Sequence, residues 1–150
     1  MDRGLVVKKE IEINADVTKV WKALINPELI KQYLFRTEAV SKWEIGSSII
    51  FKGDWEGNPY EDKGLILKLE KNKTFEYAYW TSFSGLEDKP ENYANITYDL
   101  IVKGGSTLLS ITQDNIETQA EVNGASSNWE TILKRLKKVV EENNNNDNND

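Results

Sequence analysis

Hydrophobic and polar residues alternate at the start of the chain. Apolar side chains at positions 5, 7, 11 and 13 are interspersed with lysine and glutamate, and this two-residue period is typical of a half-buried strand. The next apolar residues are spaced as on one face of a helix: Val17, Val20, Trp21 and Leu24. Either Asn14 or Asp16 can cap this helix, and Pro27 favours the first turn of a second one. The pattern predicts a strand over 5–13 followed by two short helices.

Strand patterns return between residues 47 and 114, where alternating segments are separated by turn-forming residues. The stretch 56–64, EGNPYEDKG, is rich in turn formers, and we interpret it as a loop. The segments that we expect to be strands are 49–55, 64–70, 74–80, 93–103 and 106–115, with 40–45 as a further candidate. Together with the first strand they predict an antiparallel sheet of six or seven strands joined by hairpins.

The last part of the chain has the pattern of a long helix. Ser127 and Glu130 have the spacing of a capping box. One apolar stripe follows: Trp129, Ile132, Leu133, Leu136 and Val140. Residues 143–150, NNNNDNND, offer nothing to bury and are predicted to be a disordered tail. We therefore expect one domain over 1–142, of the α+β class, in which a curved sheet wraps around the last helix and encloses space.

Composition narrows the possible chemistry. The 150 residues contain no cysteine and no histidine, which removes thiolate nucleophiles, imidazole bases and the usual zinc, haem and iron–sulfur ligands. We expect neither a metal nor a cofactor. The formal net charge of −6 repels nucleic-acid phosphates and anionic membrane surfaces, and no apolar run approaches the ~20 residues of a membrane span. We expect a cytoplasmic protein that binds neither nucleic acid nor membrane.

Four segments carry a resemblance to a known family. They are INADVTKVWKALINPELIKQYL, IGSSIIFKGDWEGNPYEDKGLILKLEKNKTFEYAYW, ITYDLIVKGGSTLLSITQDN and NWETILKRLKKVVEE. In order and spacing they resemble the SRPBCC or START-like superfamily, in its Activator of Hsp90 ATPase homolog 1-like branch. The resemblance implies a helix-grip fold with a central cavity, which the superfamily uses to bind lipids, hormones and polyketides and occasionally for cyclase-type chemistry. The branch is named after a co-chaperone that stimulates Hsp90.

Candidate ligand-binding residues come from strand parity, the last helix and the resemblance. Tyr98 and Gln113 are polar-tipped side chains that parity places on the face towards that helix, where each needs a hydrogen-bond partner. Packing alone would also explain the aromatic candidates. The full set of predicted cavity residues is Trp21, Phe51, Trp55, Tyr77, Tyr79, Tyr98, Gln113, Trp129 and Leu133.

No catalytic residue is predicted. The acidic pairs Glu10 with Glu12 and Glu61 with Asp62 are interpreted as solvated surface. The favoured hypothesis is a non-enzymatic carrier or sensor that binds a small hydrophobic molecule, such as a lipid, an aromatic compound or a polyketide-like compound. One alternative is a protein-binding module related to the Hsp90 activators. A second is an enzyme of the cyclase or hydrolase type, which would need a buried carboxylate or tyrosine with a perturbed pKa.

Overall fold

Seven strands and three helices follow one another along residues 4–148, the part of the chain that the computed structural model describes; the side chains of Trp55 and of residues 144–148 lie outside this description. The strands are β1 (Leu5–Ile13), β2 (Glu38–Ser41), β3 (Ser48–Trp55), β4 (Asn58–Glu70), β5 (Thr74–Trp80), β6 (Ala94–Lys103) and β7 (Ser106–Ile116). The helices are α1 (Val17–Ile25), α2 (Pro27–Tyr33) and α3 (Gln119–Asn148). Two short 3-10 turns lie between β5 and β6, at Ser82–Ser84 and Pro90–Asn92.

The strands form one antiparallel sheet in the order β1-β7-β6-β5-β4-β3-β2. Its edges are therefore β1, the first strand, and the four-residue β2. The long helix α3 packs against β1 and β7 and also contacts α1 and α2. This is the predicted helix-grip architecture, and the predicted α+β class is confirmed. None of the helices in residues 4–148 has the length and apolar character needed to cross a bilayer.

The core lies between the inner face of the sheet and the three helices. Along β6, Ile96, Tyr98 and Leu100 are buried at every second position, which is the period expected when one face of a strand packs inward. The predicted stripe of α3 is buried as well, from Trp129 to Val140. Strand parity and the helical stripe were therefore predicted in the correct register.

Local capping explains the break between α1 and α2. The Asp16 side chain accepts a hydrogen bond from the Thr18 backbone N–H at 3.1 Å and caps α1. Asn26 does the same for α2 by accepting from the Glu28 N–H at 2.9 Å. Pro27 occupies the first position of α2, where a missing N–H costs nothing. The chain therefore changes direction at residue 26, and the Thr18 and Glu28 N–H groups, which have no partner within their own helices, still donate hydrogen bonds.

The predicted loop over 56–64 is wrong, because β4 begins at Asn58 and extends through it. Trp55 and Asn58 pair across a two-residue turn in which Glu56 and Gly57 have φ of 52° and 84°. Two positive φ values are the signature of the tight hairpin turn that matches strand twist. The Gly57 N–H also donates to Asp54 Oδ1 at 2.7 Å. Glycine, proline and asparagine here shape a turn and a strand start instead of a long loop.

Other predicted boundaries also shift. Helix α3 begins at Gln119, well before Ser127, because Thr118 accepts the Glu121 N–H at 3.1 Å and caps it there. At its other end α3 continues to Asn148, so the start of the predicted disordered tail is helical, while residues 149 and 150 lie outside the described part. The further strand candidate, 40–45, is β2 at Glu38–Ser41. The domain limits of 1–142 stay a prediction.

Candidate functional site

Aromatic side chains fill most of the space between the sheet and the helices. The rings of Phe75 and Tyr98 stack with centroids 6.1 Å apart, and Tyr77 lies 5.2 Å from Phe75 and 5.7 Å from Phe51. The void that remains among them is about 10 Å³, which is close to the space of one water molecule. The large aromatic residues therefore occupy the interior instead of lining a wide chamber.

Three tyrosines of this interior are fully buried. Tyr33 donates its hydroxyl to the Ala23 carbonyl oxygen at 2.8 Å. The hydroxyls of Tyr77 and Tyr98 are hydrogen-bonded to each other. Burial disfavours the charged phenolate, so it raises the pKa of all three tyrosines above the ordinary value of 10.0. The interior is thus apolar in bulk but carries internally paired hydroxyl groups.

A cleft of about 670 Å³ opens beside this interior. One wall is the end of α1 with the start of α2, and the opposite side is formed by the β2–β3 loop and the β4–β5 turn. The apolar residues that line it are Trp21, Ile25, Pro27, Trp43 and Leu69. Its volume lies within the ~300–1,000 Å³ range of small-molecule sites. The break between α1 and α2 therefore creates a concave surface large enough for a small molecule.

Trp43 lies between the cleft and the interior void, because it lines both. Its ring is 6.2 Å from that of Phe75, and its backbone has a positive φ of 55°. A left-handed backbone is uncommon for a bulky residue. The Trp43 N–H donates to Ser41 Oγ at 3.0 Å, which helps to hold this conformation. The Trp43 side chain therefore closes the inner end of the cleft.

The polar residues of the cleft are Thr18, Lys22, Asn26, Lys71 and Asn72. Asn72 sits in the β4–β5 turn with a φ of 63°, a conformation in which asparagine is favoured over most residues. Its Oδ1 atom is buried and has no hydrogen-bond partner among the described residues. The cleft therefore combines an apolar body with a small number of polar groups, as ligand sites do.

Asp62 is buried, so the prediction that it belongs to a solvated pair is wrong; Glu61 beside it is exposed as predicted. Asp62 Oδ2 accepts the Tyr79 hydroxyl at 2.7 Å, and Oδ1 accepts the Ser82 N–H at 3.2 Å. Burial and the negative charge of Asp62 raise the pKa of Tyr79 well above its ordinary value. This is the type of pair that a cyclase or hydrolase would need, but neither residue lines the cleft or the interior void. In this arrangement Asp62 fixes the 3-10 turn after β5.

The family model described as Activator of Hsp90 ATPase homolog 1-like protein matches residues 14–141. The chain belongs to this family. The solution structure of a Cytophaga hutchinsonii protein is similar, with 41% identity and a TM-score of 0.82 over 95% of this chain and 98% of that one.

Two more distant structures share the fold of this family member. A Mesorhizobium loti protein has 22% identity and a TM-score of 0.76, over 92% of this chain and 98% of that one. The Aha1 dimer from Colwellia psychrerythraea has 21% identity and a TM-score of 0.72, over 91% and 96%. Comparison with curated proteins gives no match.

The structure divides the predicted cavity residues of this family member between two places. Trp21 lines the cleft, whereas Phe51, Tyr77 and Tyr98 line the small interior void. Trp55 belongs to β3, but its side chain lies outside the described part. Whether any of these residues contacts a ligand stays a prediction.

Four predicted residues lie away from both spaces. Leu133 is core, and Tyr79 is bound to Asp62. Trp129 donates its indole N–H to Gln113 Oε1 at 2.7 Å. Because Tyr98 also contacts Trp129, with ring centroids 6.0 Å apart, the predicted orientation of Tyr98 and Gln113 towards the last helix is confirmed.

Sequence patterns missed the residues that complete the cleft: Trp43, Leu69, Lys71 and Asn72. They come from a loop, the end of a strand and a turn, where no periodicity identifies a buried face. The available signal was weak. It consists of an aromatic residue in the short segment between two strands, and an asparagine flanked by lysines at a hairpin turn.

Proposed function

We propose that this protein binds a small apolar molecule in the cleft between the α1–α2 break and the β4–β5 turn. The observation that carries the proposal is the cleft itself, about 670 Å³ with Trp21 and Trp43 in its lining. Tryptophan rings offer large rigid apolar surfaces to a ligand at small entropic cost. Binding is therefore driven by removal of apolar ligand surface from water.

The cleft is favoured over the interior as the binding place. An aromatic or lipid-like molecule needs tens of times the roughly 10 Å³ that the packed rings leave free. Entry into the interior would require Trp43 and the rings behind it to repack, whereas the cleft is open without any movement. In this proposal Phe51, Tyr77 and Tyr98 support the floor of the site and do not surround the ligand.

Titration with a neutral apolar fluorophore such as N-phenyl-1-naphthylamine tests the proposal. Binding to the native protein increases the fluorescence and raises the Tm, because a ligand that binds only the folded state stabilises it. Trp43→Ala is the informative variant, since this half-buried residue lines the cleft. We expect about a tenfold loss of affinity, which corresponds to about 1.4 kcal/mol.

Phe83→Ala is the matched control, because Phe83 is an aromatic residue that is 63% exposed and does not line the cleft. It should bind the fluorophore as the unmodified protein does. The proposal is wrong if the unmodified protein neither binds nor is stabilised, or if Trp43→Ala and Phe83→Ala have the same effect.

A second candidate is a protein-binding role, as the family description suggests. Its support is an apolar area on the outer face of the sheet, away from the cleft. Val40 of β2 and Leu65 of β4 are 45% and 43% exposed on this face. Strand β3 lies between β2 and β4, where its Ile50 pairs with Val40 and its Ser48 pairs with Leu65. Exposed apolar patches of this kind mark protein interfaces.

The test is the ATPase rate of the Hsp90 from the same organism with and without this protein, and with Val40→Asp/Leu65→Asp. An unchanged rate would remove this candidate.

A further inference from the structure

The cleft of the proposed function has an unusual charge for this protein. The chain carries a formal net charge of −6, yet the ten residues that line the cleft include two lysines and no acidic residue. Lys22 lies in the last turn of α1 and Lys71 in the β4–β5 turn, on opposite sides of the opening. Neither lysine forms an ion pair with any of the side chains that the structure describes. Their positive charges are therefore available to a ligand.

The neutral polar groups of the cleft are partly used in hydrogen bonds within the protein. Asn26 uses its amide oxygen to accept the Glu28 N–H at 2.9 Å, which leaves its NH₂ group as the remaining polar end. Asn72 has its amide oxygen buried and without a hydrogen-bond partner among the described residues. Thr18 has its hydroxyl proton bound to Asp16 and keeps only an acceptor. The two lysine ammonium groups and the Asn26 NH₂ group thus outnumber the hydroxyl oxygen of Thr18, while the second acceptor, the Asn72 oxygen, is buried.

From this inventory, and on the basis of the proposed function, we propose that the ligand is an anion with an apolar ring system, an aromatic carboxylic acid in its ionised form. Its rings lie against the half-buried Trp43 and against the small part of Trp21, 5% of its surface, that stays exposed. Its carboxylate is directed to the opening, where Lys22 and Lys71 supply positive charge and the Asn26 NH₂ group can donate a hydrogen bond. A carboxylate accepts hydrogen bonds only, so it matches a site that offers donors.

A matched ligand series separates charge from apolar contact. The series consists of 2-naphthoate, 2-naphthalenemethanol and 2-naphthalenemethylamine, which share one ring system and differ in the charge of the head group. Each exposed lysine contributes modestly to an ion pair. We therefore expect 2-naphthoate to bind about 2- to 30-fold more tightly than the alcohol and the amine to bind most weakly. The preference for 2-naphthoate should decrease at about 1 M salt because exposed charges are screened.

Two double variants with the same change of net charge test the assignment. Lys22→Gln/Lys71→Gln should remove the preference for 2-naphthoate, so that this variant binds 2-naphthoate and the alcohol with similar affinity. Lys52→Gln/Lys103→Gln, which alters two exposed lysines outside the cleft, should keep the preference. All four lysines are exposed, so both variants should retain the Tm of the unmodified protein.

The outcomes distinguish this inference from the proposed function. If the alcohol binds as tightly as 2-naphthoate, or if Lys22→Gln/Lys71→Gln keeps the preference, the anion assignment is wrong while apolar binding stands. The same conclusion follows if the control variant loses the preference equally, because only the overall field of the protein is then involved. If none of the three molecules binds, the proposed function is overturned and this inference with it.

Discussion

Raising the pH above 10 should destabilise this protein, because three of its tyrosines are buried as neutral phenols. Tyr33, Tyr77 and Tyr98 are at most 5% exposed, and burial raises the pKa of each above the unfolded value of 10.0. A group whose folded pKa is raised contributes its full stabilisation below the unfolded pKa. That stabilisation is lost as the pH rises from the unfolded towards the folded pKa, because the unfolded chain releases the proton first.

The size of this effect follows from linkage. At about pH 11, a tyrosine that ionises only in the unfolded state lowers the free energy of unfolding by about 1.4 kcal/mol. Three such tyrosines lower it by about 4 kcal/mol, which is a large part of the roughly 5–15 kcal/mol typical of a domain. Urea denaturation measured at half-unit intervals between about pH 8 and pH 11 gives the free energy of unfolding directly.

The slope of that free energy against pH is the informative quantity. The pKa values of Tyr79 and Tyr93 are raised as well, so five tyrosines contribute to this slope. Tyr33→Phe removes one of them, so the tyrosine contribution to the slope above pH 10 should be about a fifth smaller, whatever the loss of the hydrogen bond to Ala23 does to the absolute value. Tyrosinate absorbance in the near ultraviolet counts the ionised phenols independently. Ionisation of the three buried tyrosines near pH 10, with the tertiary fold retained, would refute the argument that burial keeps them neutral.

Three substitutions, one of them a control, test the packing of the sheet and of α3. In Gly64→Ala the new Cβ would lie 2.9 Å from the Ala78 carbonyl oxygen, so chemical denaturation should show a loss of about 1–3 kcal/mol. Gly105→Ala meets nothing within 4 Å and should change the stability by less than about 0.5 kcal/mol; equal effects would contradict the clash. Gln113→Leu removes the acceptor of the Trp129 indole N–H and should cost about 1–3 kcal/mol in the same assay. An unchanged midpoint would mean that this bond does not contribute.

The fold was predictable from the sequence because most elements bury one face only. A strand with one buried face shows a two-residue period, and α3 shows its apolar stripe, so Tyr98 and Trp129 could both be oriented correctly before any coordinates were known. The start of α3 was not predictable in the same way. Ser127–Glu130 and Thr118–Glu121 both have capping-box spacing, and only the second one caps the helix.

The start of β4 at Asn58, within the predicted loop, explains why the burial of Asp62 is missed by the sequence patterns. Tyr60, Asp62, Gly64 and Ile66 follow strand parity, and the last three are buried. A loop has no strand parity, so the interpretation of 56–64 as a loop gives no reason to bury a carboxylate in this polar stretch. The partner of Asp62 is Tyr79 of β5. Tyr79 pairs across the sheet with Gly64 of β4, which lies two residues after Asp62. Recognising Glu56–Gly57 as a two-residue turn would have placed Asp62 inward.

The cleft could be predicted only in part, because its walls belong to segments that are far apart in the sequence. The spacing of Trp21 gave it a place on the apolar stripe of α1, and Asn26 and Pro27 marked the end of that helix. The opposite side of the cleft depends on two other features. The pairing of β4 with β5 fixes the turn at Lys71, and the backbone of Trp43 is left-handed. Neither feature has a periodic signature. The interior rings, which periodicity does identify, pack against each other and leave little room, so the residues that are easiest to predict as buried are not those that line the open site.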